Sequence, residues 1–207
     1  ADEGFSAVAD PAGRARVLIT RGDAARLVGY LPAAMEIYRD AAAQLAALSH
    51  PSEAEARLKF GQVALVLGNA NAARPELEAA LELYAAVGLA KERAAAHLAL
   101  GQIASANDDS TTARDHWVAA LELAMGANDP LTAGRAHLEL AGLAASAGET
   151  TLAGEQLAEA KLRFRDAESP IGEILVIMAQ GNAPVAAATL AALAEPIAES
   201  NRFLGLP

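Results

Sequence analysis

Histidine side chains are the first residues in this sequence with the means to do chemistry. His97 and His137 lie 40 positions apart, and each is followed by a Leu-x-Leu pattern. Neutral imidazole is a common zinc ligand, so the two residues could hold a metal ion. However, no Asp, Glu or Cys recurs beside them, and His116 precedes a tryptophan as a helix-surface residue would. We therefore expect packing roles for all three histidines and no metal site.

Carboxylates beside hydroxyl groups are the second candidate. Asp108 and Asp109 precede the segment Ser110-Thr111-Thr112. A calcium loop would also need a glycine and a distal bidentate glutamate, which this segment lacks, so we expect a turn and a helix cap. No dinucleotide-binding, P-loop, zinc-protease or serine-hydrolase motif occurs in the sequence. We therefore expect no catalytic residues, no cofactor and no enzyme activity.

Two glutamines follow a glycine at equivalent places, Gln62 after Gly61 and Gln102 after Gly101. A carboxamide both donates and accepts hydrogen bonds, so it can pair with the N–H and the C=O of an extended peptide. The alternative is that both glutamines are simply polar residues on a hydrated surface. The sequence leaves both interpretations open.

All these residues belong to an internal repeat of about 40 residues. The repeat aligns three segments of the chain, 57–81, 97–121 and 137–161. Gly61, Gly101 and Ala141 share one position in it. Less regular copies occupy 17–42 and 173–193.

Each copy predicts two amphipathic helices joined by a short turn. The expected turns contain the helix breakers Gly29, Gly68, Asn107-Asp108, Gly148 and Gly181. Three helix starts are marked, by a capping box from Ser52 to Glu55 and by the pairs Asp129-Pro130 and Ser169-Pro170. A small residue at a fixed place in the first helix lets a bulky residue of the second approach closely. We therefore expect small-against-large packing within the helix pairs.

This pattern resembles the tetratricopeptide repeat family. Leu100-Gly101 in the first helix, and Ala113, Trp117 and Ala120 in the second, match the family's loose consensus. The resemblance implies an all-α fold, a right-handed α-solenoid of antiparallel helix pairs with about five repeats and a C-terminal cap. A unit of about 40 residues is similar to the longer-unit branch of the family.

The same resemblance sets the expected domain organisation. Residues 1–13 form an N-terminal extension, 14–195 the solenoid, and 196–207 a C-terminal cap or tail, since Pro196 interrupts the last helical pattern. The repeats are expected at about 14–50, 51–90, 91–129, 130–168 and 169–195.

In this family the first helices of successive repeats line a concave groove that binds peptides. Residues at fixed offsets from the shared glycine are the candidates for lining it: Arg16, Asp23, Arg26, Leu58, Gln62, Leu65, Leu98, Gln102, Ser105, Arg135 and Leu138. The leucines would form a stripe with polar groups beside it. The arginines could select a carboxylate on the ligand.

Composition excludes several classes of partner. A net charge of −10 argues against binding to nucleic acid or to an anionic membrane surface. No run of about 18 apolar residues predicts membrane insertion. The absence of cysteine removes disulfides and leaves the compartment open. We expect a cytoplasmic protein, with a processed secreted or periplasmic form as the alternative.

Three functional hypotheses follow. The first is a scaffold or adaptor whose groove binds another protein or a peptide segment. The second is a structural self-assembly module, a homo-oligomer in which the groove receives the tail 201–207 of a neighbouring copy. The third is a ligand-sensing domain of a larger regulator. The repeated glutamines favour the first hypothesis, and the apolar tail favours the second.

Overall fold

A computed structural model describes residues 10–181, which form nine α-helices and no strand. The helices are α1 (Pro11–Leu27), α2 (Leu31–Ala47), α3 (Glu53–Val66), α4 (Ala70–Val87), α5 (Ala90–Ala106), α6 (Ser110–Gly126), α7 (Pro130–Ser146), α8 (Thr150–Asp166) and α9 (Pro170–Ala179). They confirm the expected all-α fold of helix pairs.

The chain divides into two compact units, residues 1–123 and 124–207, and the boundary falls within α6. In unit 1 each helix from α1 to α4 packs on the next, and α3 also packs on α5. In unit 2, α7 packs on α8, and α9 packs on both. Each unit therefore has a core built between neighbouring helices, and alanine supplies many of its residues.

Three glycines in unit 1 face a bulky residue sixteen positions later. A Cβ atom placed on Gly22 would lie 2.5 Å from the ring of Tyr38, and one on Gly101 would lie 2.4 Å from Trp117 Nε1. Gly61 stands in the same relation to Leu77, at 2.5 Å. No side chain fits at these distances, so each glycine allows the second helix to approach the first. The small-against-large packing is confirmed.

Unit 2 places its glycines against a different residue. The fourth copy has Ala141 at the shared position, where it is buried. Gly134 and Gly172 instead face Phe164, where an added Cβ would lie 2.9 Å and 2.2 Å from the ring. Phe164, Ala160 and Val176 form a buried apolar cluster against which Leu138 and Leu157 pack.

The described turns contain residues with left-handed backbone angles. The expected turns within the repeats use Gly29, Gly68, Gly148 and Gly181, and Asp108 takes the same conformation at φ 59°. The turns between repeats use Ser49, Gly88, Asn128 and Glu168. These residues end each helix and let the chain reverse within a few positions.

Side chains cap several helices as expected. Asp129 accepts from Thr132 N at 3.2 Å, and Ser169 accepts from Gly172 N at 3.2 Å. Asp109 accepts from Thr112 N at 3.0 Å, so this segment is a helix cap. The first helix begins at Pro11, three residues before the expected start of the first repeat, because Asp10 caps it through Gly13 N at 2.8 Å.

The capping box predicted from Ser52 to Glu55 is wrong. Ser52 makes no side-chain capping bond, and its backbone already lies in the helical region at φ −70° and ψ −4°. A capping residue needs an extended backbone to direct its hydroxyl at the following N–H groups. In its place, Ser52 N donates to His50 Nδ1 at 3.1 Å.

Several predictions concern residues outside the described range. The N-terminal extension up to residue 9, the second helix of the fifth repeat and the cap or tail at 196–207 belong to this group. No helix in the described part of the chain is long and apolar enough to cross a membrane.

Candidate functional site

A cleft on the surface of unit 1 contains two of the predicted groove residues, Arg16 and Asp23. It has a volume of about 390 Å³ and is lined by the N-cap and one face of α1, with one residue of α3. The lining consists of Asp10, Gly13, Arg16, Val17, Ile19, Thr20, Asp23 and Glu55. The structure therefore brings Arg16 and Asp23 together, as predicted from their shared helix face.

Asp23 is held in a network that joins three helices of unit 1. Tyr38 Oη of α2 donates to Asp23 Oδ1 at 2.7 Å. Lys59 Nζ of α3 donates to both carboxylate oxygens of Asp23 at 2.7 Å, and it lies 3.3 Å from Glu55 Oε1. These bonds fix the floor of the cleft, because Tyr38 is fully buried.

The network also fixes the charge of Asp23. Partial burial acts to raise the pKa of its carboxyl group, but hydrogen bonds from Lys59 and Tyr38 and the charges of Lys59 and Arg26 together lower it. At neutral pH Asp23 is therefore an anion whose charge is already balanced inside the protein.

The Arg16 side chain, in contrast, has no such partner among the described residues. Arg16 is exposed, and within residues 10–181 it forms no ion pair or hydrogen bond. Each carboxylate of the lining does have a partner, because Asp10 caps α1 while Asp23 and Glu55 both contact Lys59. Arg16 is therefore the charged side chain of the lining that has no partner among the described residues.

The two candidate glutamines differ in exposure. Gln62 on α3 is exposed, while Gln102 on α5 is half-buried and interacts with other residues of the chain. Leu65 is half-buried, and Ser105 and Arg26 are exposed. Gln62 is thus the carboxamide more open to a ligand.

The expected stripe of groove leucines needs correction at two positions. Leu58 is 8% exposed and Leu98 is 2% exposed, so both side chains belong to the core. The Leu98 carbonyl also accepts a hydrogen bond from Trp117 Nε1 at 3.3 Å. The sequence pattern that marks a residue as inward does not separate a groove from the core, and these two leucines are buried.

The remaining two candidates lie in unit 2, on α7. Arg135 is exposed, and Leu138 is half-buried against the cluster around Phe164. Leu138 therefore contributes to the core of its own unit.

The histidines pair with partners nineteen positions later, on the second helix of their repeat. His97 Nδ1 lies 2.9 Å from His116 Nδ1, and His137 Nδ1 lies 2.7 Å from Gln156 Oε1. Arg57 and Glu76 form an ion pair with the same separation in sequence, at 2.5 Å. The expected packing role of these histidines thus includes a specific polar contact between the helices.

Sequence reasoning missed Lys59 and the partner of His97. Lys59 has no counterpart at the same position of the other repeats, where Thr20, Ala99 and Glu139 stand, so no recurrence marked it. The pairing of His97 with His116 follows from the nineteen-residue offset that Arg57 and Glu76 share, which becomes visible only when oppositely charged residues are matched across the helix pair.

Comparison with known proteins gives matches among solved structures alone. No protein-family model matches the chain, and no curated protein matches it significantly. Aspartyl phosphate phosphatase F from Bacillus subtilis has a TM-score of 0.75 at 12% identity, over 99% of this chain and 54% of that one. A Rap protein complexed with Competence and Sporulation Factor has a TM-score of 0.70 at 16% identity, over 88% of this chain and 53% of that one.

The nearly identical TPR-like repeats of a putative kinesin light chain of Podosopora anserina have a TM-score of 0.61 at 17% identity. The match covers 93% of this chain and 99% of that one. The chain spans about half the length of the phosphatase and of the Rap protein. Since identities of this size report on the fold alone, the chain has the fold of the tetratricopeptide-repeat-like proteins.

Proposed function

We propose that this protein is a peptide- or protein-binding adaptor and that the cleft between α1 and α3 of unit 1 is part of its binding surface. The observation that carries the proposal is the pairing of the charged side chains that line the cleft. Three carboxylates that line it are partnered within the chain, whereas Arg16 is not partnered by any described residue. A ligand carboxylate would give Arg16 a partner.

The rigidity of the cleft supports the same function. Asp23 is bonded at once to Lys59 and to the buried Tyr38, so this part of the cleft does not need to be ordered when a ligand binds. Pre-ordered side chains reduce the entropy that binding costs. Gln62 is exposed on α3 and can pair with the backbone of a peptide that extends from the cleft.

The ligand class we infer is an extended segment of another protein that carries an acidic side chain or a terminal carboxylate. A chain of net charge −10 repels a ligand carboxylate over most of its surface. Arg16 would therefore determine where the carboxylate binds as well as strengthen the binding. Arg26 is an exposed cation on the same helix as Arg16 and would add to this preference.

A ligand-sensing domain of a larger regulator is the second candidate. It is favoured by one comparison, because a Rap protein of similar fold has been solved complexed with Competence and Sporulation Factor. The self-assembly hypothesis rests on residues 201–207, which lie outside the described range.

The test is a peptide-display selection on the full chain, followed by titration of the selected peptides. Arg16→Ala should weaken binding by about 1 to 3 kcal/mol, the scale of a lost charge-assisted hydrogen bond. The loss should shrink at high salt, because salt screens the exposed charges. Amidation of the peptide carboxylates should reproduce the effect of the substitution.

Matched variants separate the cleft from general electrostatics. Arg21→Ala removes an exposed arginine of α1 that does not line the cleft, so it should leave binding unchanged. The double change Gln62→Ala and Gln102→Ala should weaken binding by about 1 to 3 kcal/mol if the carboxamides pair with the peptide backbone. Equal affinities for the Arg16→Ala and Arg21→Ala variants would exclude the cleft as the binding surface.

A further inference from the structure

The contact between His97 and His116 has a geometry that extends beyond packing. His97 lies on α5 and His116 on α6, and their Nδ1 atoms are 2.9 Å apart. The ring centroids are 5.2 Å apart, and the ring planes are inclined at 45°. Both side chains are half-buried, so neither is sealed from solvent.

This separation suits two ligands of one metal ion. Imidazole nitrogens bind transition metals at about 2.0 to 2.1 Å, so two of them on one ion at angles of 90° to 109° lie roughly 2.8 to 3.4 Å apart. The observed 2.9 Å lies within that range. At 2.9 Å one Nδ1 donates to the other, so metal binding would replace this hydrogen bond: the proton would move to Nε2 of its own ring, and both rings would tilt towards the ion.

The protonation states also suit a metal ligand. Burial, followed by the charges of His116 and Arg93, lowers the pKa of His97 to about 4. Burial and the charge of Arg74 lower the pKa of His116. Both rings are therefore neutral at pH 7. Because neutral imidazole can carry its proton on Nε2, no proton has to leave the pair when both Nδ1 atoms bind.

The surrounding charges are of both signs. Arg93 and Arg74 lie close enough to disfavour a cation, while Asp115 and Glu78 act in the opposite direction on His116. Within residues 10–181 no group of three or more His, Cys, Asp or Glu could hold a metal ion. An ion bound by the two histidines would therefore keep water in its other positions.

We propose that His97 and His116 form a two-imidazole site for a divalent transition metal ion, binding Cu²⁺ most tightly and Ni²⁺ and Zn²⁺ more weakly. The order follows from the general preference of nitrogen ligands among these ions. The site is independent of the proposed peptide cleft and uses none of its residues.

The fourth repeat supplies a matched control for this site. His137 stands where His97 does, and its partner at the place of His116 is Gln156, bonded at 2.7 Å. Replacing His116 with glutamine therefore copies a pair that the fold already accommodates. Conversely, replacing Gln156 with histidine copies the histidine pair into the fourth repeat.

The experiment is a titration of the full chain with Cu²⁺ at pH 7 in a buffer that does not bind metals, followed by calorimetry and by Trp117 fluorescence. Trp117 is the sole tryptophan and adjoins His116 in the chain, so bound Cu²⁺ should quench it. We expect quenching that saturates at one equivalent. His116→Gln should weaken binding by more than about tenfold, since even losing a hydrogen-bond partner of a ligand has an effect of that size.

Two further variants complete the test. His50→Ala should bind Cu²⁺ like the parent, and Gln156→His should bind a second equivalent. Circular dichroism should show that His116→Gln keeps the helical fold. The proposal would be overturned if the parent did not bind stoichiometrically, if His116→Gln bound as tightly as the parent, or if Gln156→His gained no second equivalent.

Discussion

The two units bury their largest side chains at different positions along the second helix of the pair. In unit 1 the bulky residue stands in the middle of the second helix, as Trp117 does opposite Gly101. In unit 2 it stands near the end of the second helix, where Phe164 is approached by Gly134 and Gly172. The middle position there holds Ala141 and Leu157. In both units a glycine stands opposite the large aromatic side chain, so close packing is maintained while its place along the helix pair differs.

The polar pairs of residues nineteen positions apart differ in chemistry from repeat to repeat. One position in the fold holds an ion pair at Arg57 and Glu76, two imidazoles at His97, and an imidazole with an amide at His137. The helices tolerate all three because each pair satisfies its own hydrogen bonds. The chemistry at this position therefore varies between repeats, whereas the glycine position is occupied only by glycine or alanine in the first four repeats.

The largest effect should come from overfilling the glycine position of unit 1. Gly101→Val should destabilise the protein by about 3 kcal/mol or more, because the new side chain meets the Trp117 ring and strains the buried bond from Trp117 Nε1 to the Leu98 carbonyl. Urea unfolding followed by Trp117 fluorescence measures the loss.

A helical glycine of unit 2 provides the control for that change. Gly142 is exposed on α7, and an added Cβ would meet nothing within 4 Å. Gly142→Ala should stabilise the protein by about 0.5 to 1 kcal/mol through helix propensity alone. An unchanged stability in Gly101→Val would show that Gly101 does not face Trp117.

A smaller effect should appear on acidification, through His97. Its pKa is about 4 in the folded protein against 6.5 for an unperturbed side chain, so the unfolded chain binds the proton more readily. The stability that His97 contributes is complete above pH 6.5 and is lost as the pH falls from 6.5 to 4. We expect a loss of about 1 to 2 kcal/mol, which is less than the shift alone implies because solvent screens a partly exposed ring.

One substitution should reduce this dependence of stability on pH. Leu18 stands at the position of His97 in the first repeat, so His97→Leu should fold and should lose less stability than the parent between pH 6.5 and pH 4. Urea unfolding at several pH values compares the two proteins. Parallel pH profiles would mean that His97 is not responsible for the acid sensitivity.

The smallest effect concerns the turns between repeats. Gly88 adopts a left-handed conformation at φ 74°, and Glu168 takes a similar conformation at φ 49° with a side chain that strains it. Glu168→Gly should therefore raise the stability by about 0.5 to 1 kcal/mol, net of the entropy that glycine adds to the unfolded chain. A thermal melt of the parent and of the Glu168→Gly variant measures this difference in stability. A lower melting temperature would show that the Glu168 side chain makes a stabilising contact that outweighs the strain.

Much of the fold was predictable because its determinants recur. Glycine, alanine and the turn residues return at nearly constant spacing, so helix pairs, turns and small-against-large packing follow from sequence alone. The capping box at Ser52 failed because capping depends on the backbone angles of one residue, which a motif does not fix.

The candidate site was predictable only in part. Arg16 and Asp23 share one face of one helix, so spacing placed them together. Lys59 reaches Asp23 from another helix, thirty-six positions away, and such a contact depends on the packing of helices. Leu98 was misjudged because the periodicity that marks an inward residue does not distinguish a groove from the core behind it.

The measurement that tests the central functional claim most directly is hydrogen–deuterium exchange of the full chain with and without a selected peptide. If the cleft of unit 1 binds the peptide, protection should increase in α1 between residues 13 and 26 and in α3 between residues 55 and 66. Protection confined to unit 2, or to the exposed apolar residues Leu27 and Tyr30 beside the first turn, would contradict the account.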